Sequence, residues 1–187
     1  MDHYLDIGLA HDPEFSPQQL MSELFSKLHR ALVKSRSQDV GISFPGVRQE
    51  RPALGNHLRL HGRQSTLQRL MAVNWLGGMQ DHVNQGEILQ VPAEVTYRVV
   101  FRVQAKSSAE RLRRRLMRRH DLNEAEARRR ISETVEQRLE LPYVSIRSQS
   151  TGQSFFLFIE HGPSLAEPQG GLFSAYGLST GATIPWF

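Results

Sequence analysis

Leu20, Leu24, Leu28 and Leu32 recur every fourth residue, and Met21 and Phe25 widen the same stripe. A chain that repeats apolar side chains at this interval buries them only as one face of a helix laid against another layer. The start of that helix is written beside it. Ser16 can cap, Pro17 suits the first helical position, and Gln19 completes a capping box. The segment before it obeys a different period. In HYLDIGL (His3 to Leu9), Leu5, Ile7 and Leu9 fall on one face, which reads as a strand.

Further along, VGISF (Val40 to Phe44) and HLRLHG (His57 to Gly62) are short strand candidates. Ser65 to Trp75 predicts a second helix with Leu67, Leu70 and Met71 inward, stopped by Gly77-Gly78. Val95 to Lys106 alternates cleanly over a long strand. The first half therefore has the order β-α-β-β-α-β, that of the ferredoxin-like (RRM-like) split βαβ unit. Many RNA-binding domains share it, as do many proteins that never meet RNA. NQGEILQVPAE (Asn84 to Glu94) is expected to connect this half to the next.

The second half is expected to be α+β as well. SSAERLRRRLMRRH is a helix with Ser107 and Glu110 placed as a capping box. Asn123 and Glu126 suggest another box, opening a helix to about Leu139 lined by Ala127, Ile131, Val135 and Leu139. Tyr143 to Gln149 and Ser154 to Glu160 flank STGQ as a β-hairpin, and a glycine-rich tail follows. The whole chain thus reads as an α+β protein with a domain over 1–94 and a second over 95–187.

The 187 residues carry a formal charge of +4, hydrophobic residues make up 39 %, and there is no cysteine. The basic balance favours a polyanionic partner. The missing cysteines exclude disulfides, thiolate metal sites and cysteine nucleophiles, and suit a reducing cytoplasm. No secretory signal and no membrane span are expected. Six of the nine residues of RLRRRLMRR (Arg111 to Arg119) are arginine. At 100° per residue, Arg111, Arg114, Arg115, Arg118 and Arg119 fall within an arc of roughly 140°, with Leu112 and Leu116 beside it. Such a face is either simply solvated, docked on an acidic protein, or neutralised by phosphates that match guanidinium forks. On the strand that leads into it, Thr96, Arg98, Val100, Arg102, Gln104 and Lys106 share a face. Arg102 and Gln104 have the side chains that make bidentate contacts to guanine and adenine edges. A polar outer face of an edge strand is the plainer reading.

Of eight histidines, His57 and His61 have an H-x3-H spacing, but on a strand they stand roughly 13 Å apart and cannot share a metal. There is no HExxH, Walker loop or carboxylate cluster, so no metal and no cofactor is expected. A chain of this kind that cut RNA would use acid–base chemistry on the 2′-hydroxyl, for which histidine is suited. His29 lies just past the edge of the first helix's apolar stripe, where a histidine is either structural or lines a cleft.

KSSAERLRRRLMRRHDLNEAEARRRI, LPYVSIRSQSTGQSFFLFIEHGP and YGLSTGATIPWF together resemble the CRISPR repeat-RNA (pre-crRNA) processing endoribonucleases of type I-F systems. The resemblance runs from MDHYLDI to the final PWF and is densest from Arg102 to Gly162. Pro45 to Gly55 and Pro163 to Leu172 match nothing in it. It implies an enzyme that binds the stem-loop of CRISPR repeat RNA and cuts once at the stem base without metal, leaving a 2′,3′-cyclic phosphate and a 5′-hydroxyl. It also implies retention of the mature guide RNA beside other subunits of the type I-F surveillance complex. His29 matches the family's catalytic histidine, Ser148 the serine holding the 2′-hydroxyl, and Tyr176 the tyrosine that orients the histidine. Arg102 and Gln104 match a pair reading base edges low in the stem. Arg115, Arg118 and Arg119, on the same face as Arg111 and Arg114, match arginines that enter the RNA groove. Phe155 matches an aromatic stacking on the terminal base pair; Ser150 and Thr151 match polar contacts near the cut. A non-catalytic RNA hairpin-binding subunit is the alternative, and it would need neither His29 nor Ser148.

Overall fold

The computed structural model describes residues 1–48, 52–104, 109–130, 140–148 and 152–187, without the side chains of 109–112. Among them the chain is α+β, with antiparallel sheets and four helices. Two compact units emerge: Met1–Val103 with Leu141–Phe187, and Gln104–Glu140. The expected division at residue 94 differs from this partition because strands just after it hydrogen-bond to strands from the end of the chain.

In the first unit, β1 (His3–Leu9) is followed by α1 (Pro17–Ser35), β2 (Gly41–Ser43), β3 (His57–Gly62), α2 (Gln64–Met71) and β4 (Val83–Gln90). The sheet order is β2-β3-β1-β4, every neighbour antiparallel. The capping box is formed: Ser16 Oγ accepts from the Gln19 N–H while the Gln19 side chain accepts from the Ser16 N–H. The stripe is buried as its period requires, with Leu20, Met21, Leu24, Phe25, Leu28 and Leu32 all inside. They join Leu5, Ile7, Leu58 and Leu60 of the sheet in one core.

Several expectations are corrected by this arrangement. Asn84 to Glu94 is not a connection: most of it is β4, paired with β1 from Leu9↔Val83 to His3↔Gln90. Its exposed polar residues hid it, because only Val83 is buried and only Ile88 packs on the core. Nor is Val95 to Lys106 one strand. It breaks at Val99 into β5 (Thr96–Arg98) and β6 (Val100–Val103), which join different sheets. β5 pairs with β9 (Ile184–Trp186), and β6 with β8 (Ser154–His161), which pairs in turn with β7 (Tyr143–Arg147). The Val99 carbonyl accepts from the Gly162 N–H at 2.8 Å, so the break is itself hydrogen-bonded. The face expected to run from Thr96 to Lys106 is interrupted at that break, and within β6 it changes character, Val100 buried and Arg102 exposed. The second helix also stops earlier than Trp75, whose ring is buried beyond its end.

α1 is tied to β7 by polar bonds as well as packing. Gln18 Nε2 donates to the Tyr143 carbonyl at 2.6 Å, and Ser22 Oγ accepts from the Ser145 N–H at 3.1 Å. On the other side, the tail covers the second face of the four-stranded sheet, so β3 is buried on both faces. Arg59 therefore lies inside, held bidentately by Asp6 at 2.7 and 2.9 Å and stacked against Tyr4 and Phe187.

The second unit holds α3 (Ala109–His120) and α4 (Glu124–Arg130). The Asn123–Glu126 capping box is formed in both directions, and Ala127 is fully buried. The Ser107–Glu110 box, Lys106, and Ile131, Val135 and Leu139 lie outside the described residues or side chains. No helix among the described residues is long and apolar enough to cross a membrane.

Candidate active site

One cavity of about 540 Å³ in the first unit is lined by His29, Ser148, Phe155 and Tyr176, with Ser26, Arg30, Val33, Lys34, Ile146 and Arg147 completing its wall. His29 comes from α1, Ser148 from the end of β7, Phe155 from β8 and Tyr176 from the tail. Four segments spread over almost the whole sequence thus converge.

His29 is fixed at two points. Its Nδ1 lies 2.8 Å from the Ala175 carbonyl oxygen. A carbonyl only accepts, so Nδ1 carries a proton and Nε2 is left as the nitrogen able to gain or lose one. The imidazole also stacks on Tyr176, with ring centroids 4.1 Å apart and planes 12° from parallel. Tyr176 stacks in turn on Phe25, and Phe25 on the buried Phe44. The histidine is therefore the outermost ring of a series rooted in the core.

The turn that supplies Ala175 and Tyr176 is itself tightly held. Gly177 donates to Ser174 O at 2.8 Å, and its carbonyl accepts from the Ile42 N–H at 3.0 Å. Gly177 has φ +70, and a Cβ there would stand 2.6 Å from Ile42 Cγ2. Only glycine suits this position on both counts.

Ser148 ends β7. Its N–H donates to Gln153 O at 2.8 Å and its carbonyl accepts from the Gly152 N–H at 2.9 Å, closing the hairpin loop. Phe155 pairs with Ile146 across the hairpin and shows one side to the cavity. The Arg102 guanidinium lies 5.6 Å from the Phe155 ring centre, so these two residues form one surface. Gln104 is exposed at the start of the second unit. In α3, Arg114, Arg115, Arg118 and Arg119 are exposed, while Leu116 and Met117 are half-buried, as the arc requires. The Arg111 side chain, Ser150 and Thr151 lie outside what the structure describes.

Several features of the site were not legible beforehand. The Ala175 carbonyl is backbone and carries no residue signal. Arg147, Arg30 and Lys34 sit in the wall without belonging to any motif. The pattern of β7, with Val144 and Ile146 buried and Ser145 and Arg147 exposed, was the available signal for Arg147.

Two other histidines are taken out of use by burial. His61 is fully buried with Nε2 2.8 Å from Ser43 Oγ, and burial, aided by the Arg59 charge, pushes its pKa down to about 3. His161 Nε2 accepts from the Phe44 N–H at 3.3 Å; burial, then the Arg98 charge, lowers its pKa to about 4. His57 faces Asp6 instead. Among the described residues no three His, Asp or Glu side chains come together as metal ligands would.

The chain is thus α+β, with a fixed histidine in a cavity walled in part by Arg30 and Arg147. The family described as CRISPR-associated protein (Cas_Csy4) matches residues 4–187, and the chain belongs to that family. A relative from Pseudomonas aeruginosa (strain UCBPP-PA14), named CRISPR-associated endonuclease Cas6/Csy4, is 56 % identical over 187 residues, covering 100 % of both chains. One of the same name from Escherichia coli (strain UTI89 / UPEC) is 46 % identical over the same full length. The resemblance read from the sequence is thus borne out at the level of the family.

Proposed function

We propose that this protein is an endoribonuclease that binds the stem-loop of CRISPR repeat RNA and cuts at the stem base by attack of the RNA's own 2′-hydroxyl. The observation that carries this reading is the His29 ring, with Nδ1 held by the Ala175 carbonyl and its face on Tyr176, in one cavity with Ser148. The 2′-oxygen, positioned by Ser148, loses its proton towards His29 Nε2 and attacks the adjacent phosphorus. The P–O5′ bond breaks and the 5′ oxygen takes a proton. The ends are a 2′,3′-cyclic phosphate and a 5′-hydroxyl, with no metal required. Because Nδ1 donates to Ala175 whether the ring is neutral or charged, His29 keeps its orientation in both protonation states.

Phe155 is assigned to the terminal base pair of the stem, and Arg102 beside it, with Gln104, to base edges low in the stem. Their A-form major groove is normally too deep and narrow for side chains, so they would work from its open end. Arg111, Arg114, Arg115, Arg118 and Arg119 contact phosphates, and Ser150 and Thr151 lie near the cut. The strand order β2-β3-β1-β4 with its βαββαβ chain order supports a ferredoxin-like reading of residues 1–94, with 95–187 as the recognition half. The enzyme keeps the cut guide RNA, acts in the cytoplasm and joins other subunits of the surveillance complex. The relatives' shared name, endonuclease, supports an enzyme over a non-catalytic binding subunit.

The test is incubation with a repeat hairpin in excess EDTA, followed by end-group analysis. Cyclic phosphate and 5′-hydroxyl ends are expected; no cleavage without added metal would overturn the mechanism. Arg115→Ala and Arg119→Ala should each weaken hairpin binding and flatten its log–log salt slope by somewhat under ~1. Unchanged slopes would remove α3 from the phosphate contacts. Gly177→Ala should slow cleavage on the order of 10- to 100-fold with smaller effect on affinity, since it displaces the turn holding His29 without touching RNA. A variant with wild-type cleavage would show that this turn does not set the histidine's geometry.

A further inference from the structure

We propose that the backbone N–H of Arg147 donates to a non-bridging oxygen of the scissile phosphate and stabilises the charge that gathers there during the cut. This rests on the endoribonuclease reading above. β7 is the outer strand of its sheet, with only β8 beside it. The Ser148 N–H donates to Gln153 O, and the Ile159 N–H to Pro142 O. An antiparallel ladder alternates. Pro142, Val144, Ile146 and Ser148 therefore turn their backbone groups to β8, while Tyr143, Ser145 and Arg147 turn theirs outward, towards α1.

α1 meets that outer edge rung by rung. Gln18 donates to the Tyr143 carbonyl, and four residues further on Ser22 Oγ accepts from the Ser145 N–H. Four helical residues advance about 6 Å and two strand residues about 6.6 Å, so the next rung falls at Ser26 and Arg147. Ser26 repeats one half of what Ser22 does. Each hydroxyl donates to the carbonyl four residues back, at 2.8 Å from Ser22 and 2.7 Å from Ser26. The other half is not made. Among the described residues nothing accepts from the Arg147 N–H, and the Arg147 side chain is engaged elsewhere, its Nε donating to the Gly152 carbonyl at 3.2 Å. Instead, Ser26 and Arg147 both line the cavity that holds His29 and Ser148.

The polarity of this open rung suits a phosphate in the act of being cut. In the proposed reaction Ser148 positions the 2′-oxygen and His29 Nε2 takes its proton. As the 2′-oxygen adds to phosphorus, and before the P–O5′ bond breaks, negative charge grows on the non-bridging oxygens. A donor already aimed into the cavity meets that charge without reorganising. The Arg147 N–H is such a donor, because the two finished rungs at Gln18 and Ser22 hold its strand in place. An interaction that strengthens only as the charge grows appears in the rate and not in the affinity.

Arg147→Pro removes the N–H and the side chain, whereas Arg147→Ala removes the side chain alone, so their ratio isolates the N–H. Proline is tolerated at an outward-facing position of an edge strand, and thermal melting checks both folds. Single-turnover cleavage of a repeat hairpin in EDTA should be ~10²-fold slower in Arg147→Pro than in Arg147→Ala, while the two bind the hairpin alike. Sulfur in place of one or the other non-bridging oxygen of the scissile phosphate gives a readout that a merely structural change would not move. The wild type and Arg147→Ala should cleave one diastereomer on the order of tenfold more slowly than the other, the worth of one weakened hydrogen bond. Arg147→Pro should cleave both at the same rate. Should Arg147→Pro melt far below Arg147→Ala, an ester replacing the 146–147 peptide bond of the alanine variant makes the same comparison. The proposal is overturned by equal rates with and without the N–H, by a wild type indifferent to which oxygen is sulfur, or by a preference that survives loss of the N–H. If the wild type yields no cyclic phosphate from the hairpin, the endoribonuclease reading falls first.

Discussion

His29→Ala should abolish cleavage of a repeat hairpin, with a loss of about 10³-fold or more, while hairpin affinity stays close to that of the wild type. General acid–base catalysis by a positioned side chain contributes ~10²–10⁴-fold, and here the ring is held at both its Nδ1 and its face. A single half-buried imidazole adds little to a binding surface dominated by arginine. Single-turnover cleavage and a filter-binding isotherm on the same hairpin separate the two effects. A wild-type rate in the variant would end the assignment. Ser148→Ala should cripple cleavage in the same assay by loosening the nucleophile from its in-line position. The chemistry is tested from the substrate side by a single 2′-deoxy nucleotide at the cut site. That RNA should resist the wild-type enzyme, and its cleavage would mean that water or a protein group is the attacker.

Acid should destabilise this protein through His61 and His161. Both have folded-state pKa values below the ordinary 6.5, at about 3 and about 4, because burial penalises the charged ring. The unfolded chain therefore binds more protons than the folded one below pH 6.5. Stability is full above that pH and is lost as pH falls towards the folded values. Each pH unit in that window costs ~1.4 kcal/mol per group, so between pH 6.5 and 5 each histidine should remove about 2 kcal/mol. Urea unfolding at pH 7.5 and pH 5 gives the measurement. His161→Gln, whose side-chain oxygen can still accept from the Phe44 N–H, should shrink the difference between the two pH values by about that amount. An unchanged difference would show that His161 is protonated in the folded state without cost.

The first helix and the hairpin strands were legible because their signals are local, whereas His29, Ser148 and Tyr176 were singled out only through the family resemblance. A capping box, a four-residue stripe and an alternating strand are decided by neighbours in the chain, and Ser16–Gln19 and the α1 stripe formed as their spacing demands. The failures share a cause. β4 looked like a connection because its residues are mostly exposed, and only pairing with β1 makes it a strand. Val95 to Lys106 looked continuous because alternation does not reveal that partners 55 to 90 residues downstream belong to two sheets.

The same division runs through the site. By itself the sequence determined which residue types are available: a histidine at the edge of a helix stripe, a serine at a strand end, an aromatic in the tail, and arginines on one arc. The tertiary structure alone decided that they meet. It set the His29 tautomer through a backbone carbonyl 146 residues away and withdrew His61 and His161 by burial. The reason is physical: periodicity encodes which face of an element is apolar, whereas hydrogen-bond partners, burial and cavity walls depend on chain closure between segments that carry no record of one another.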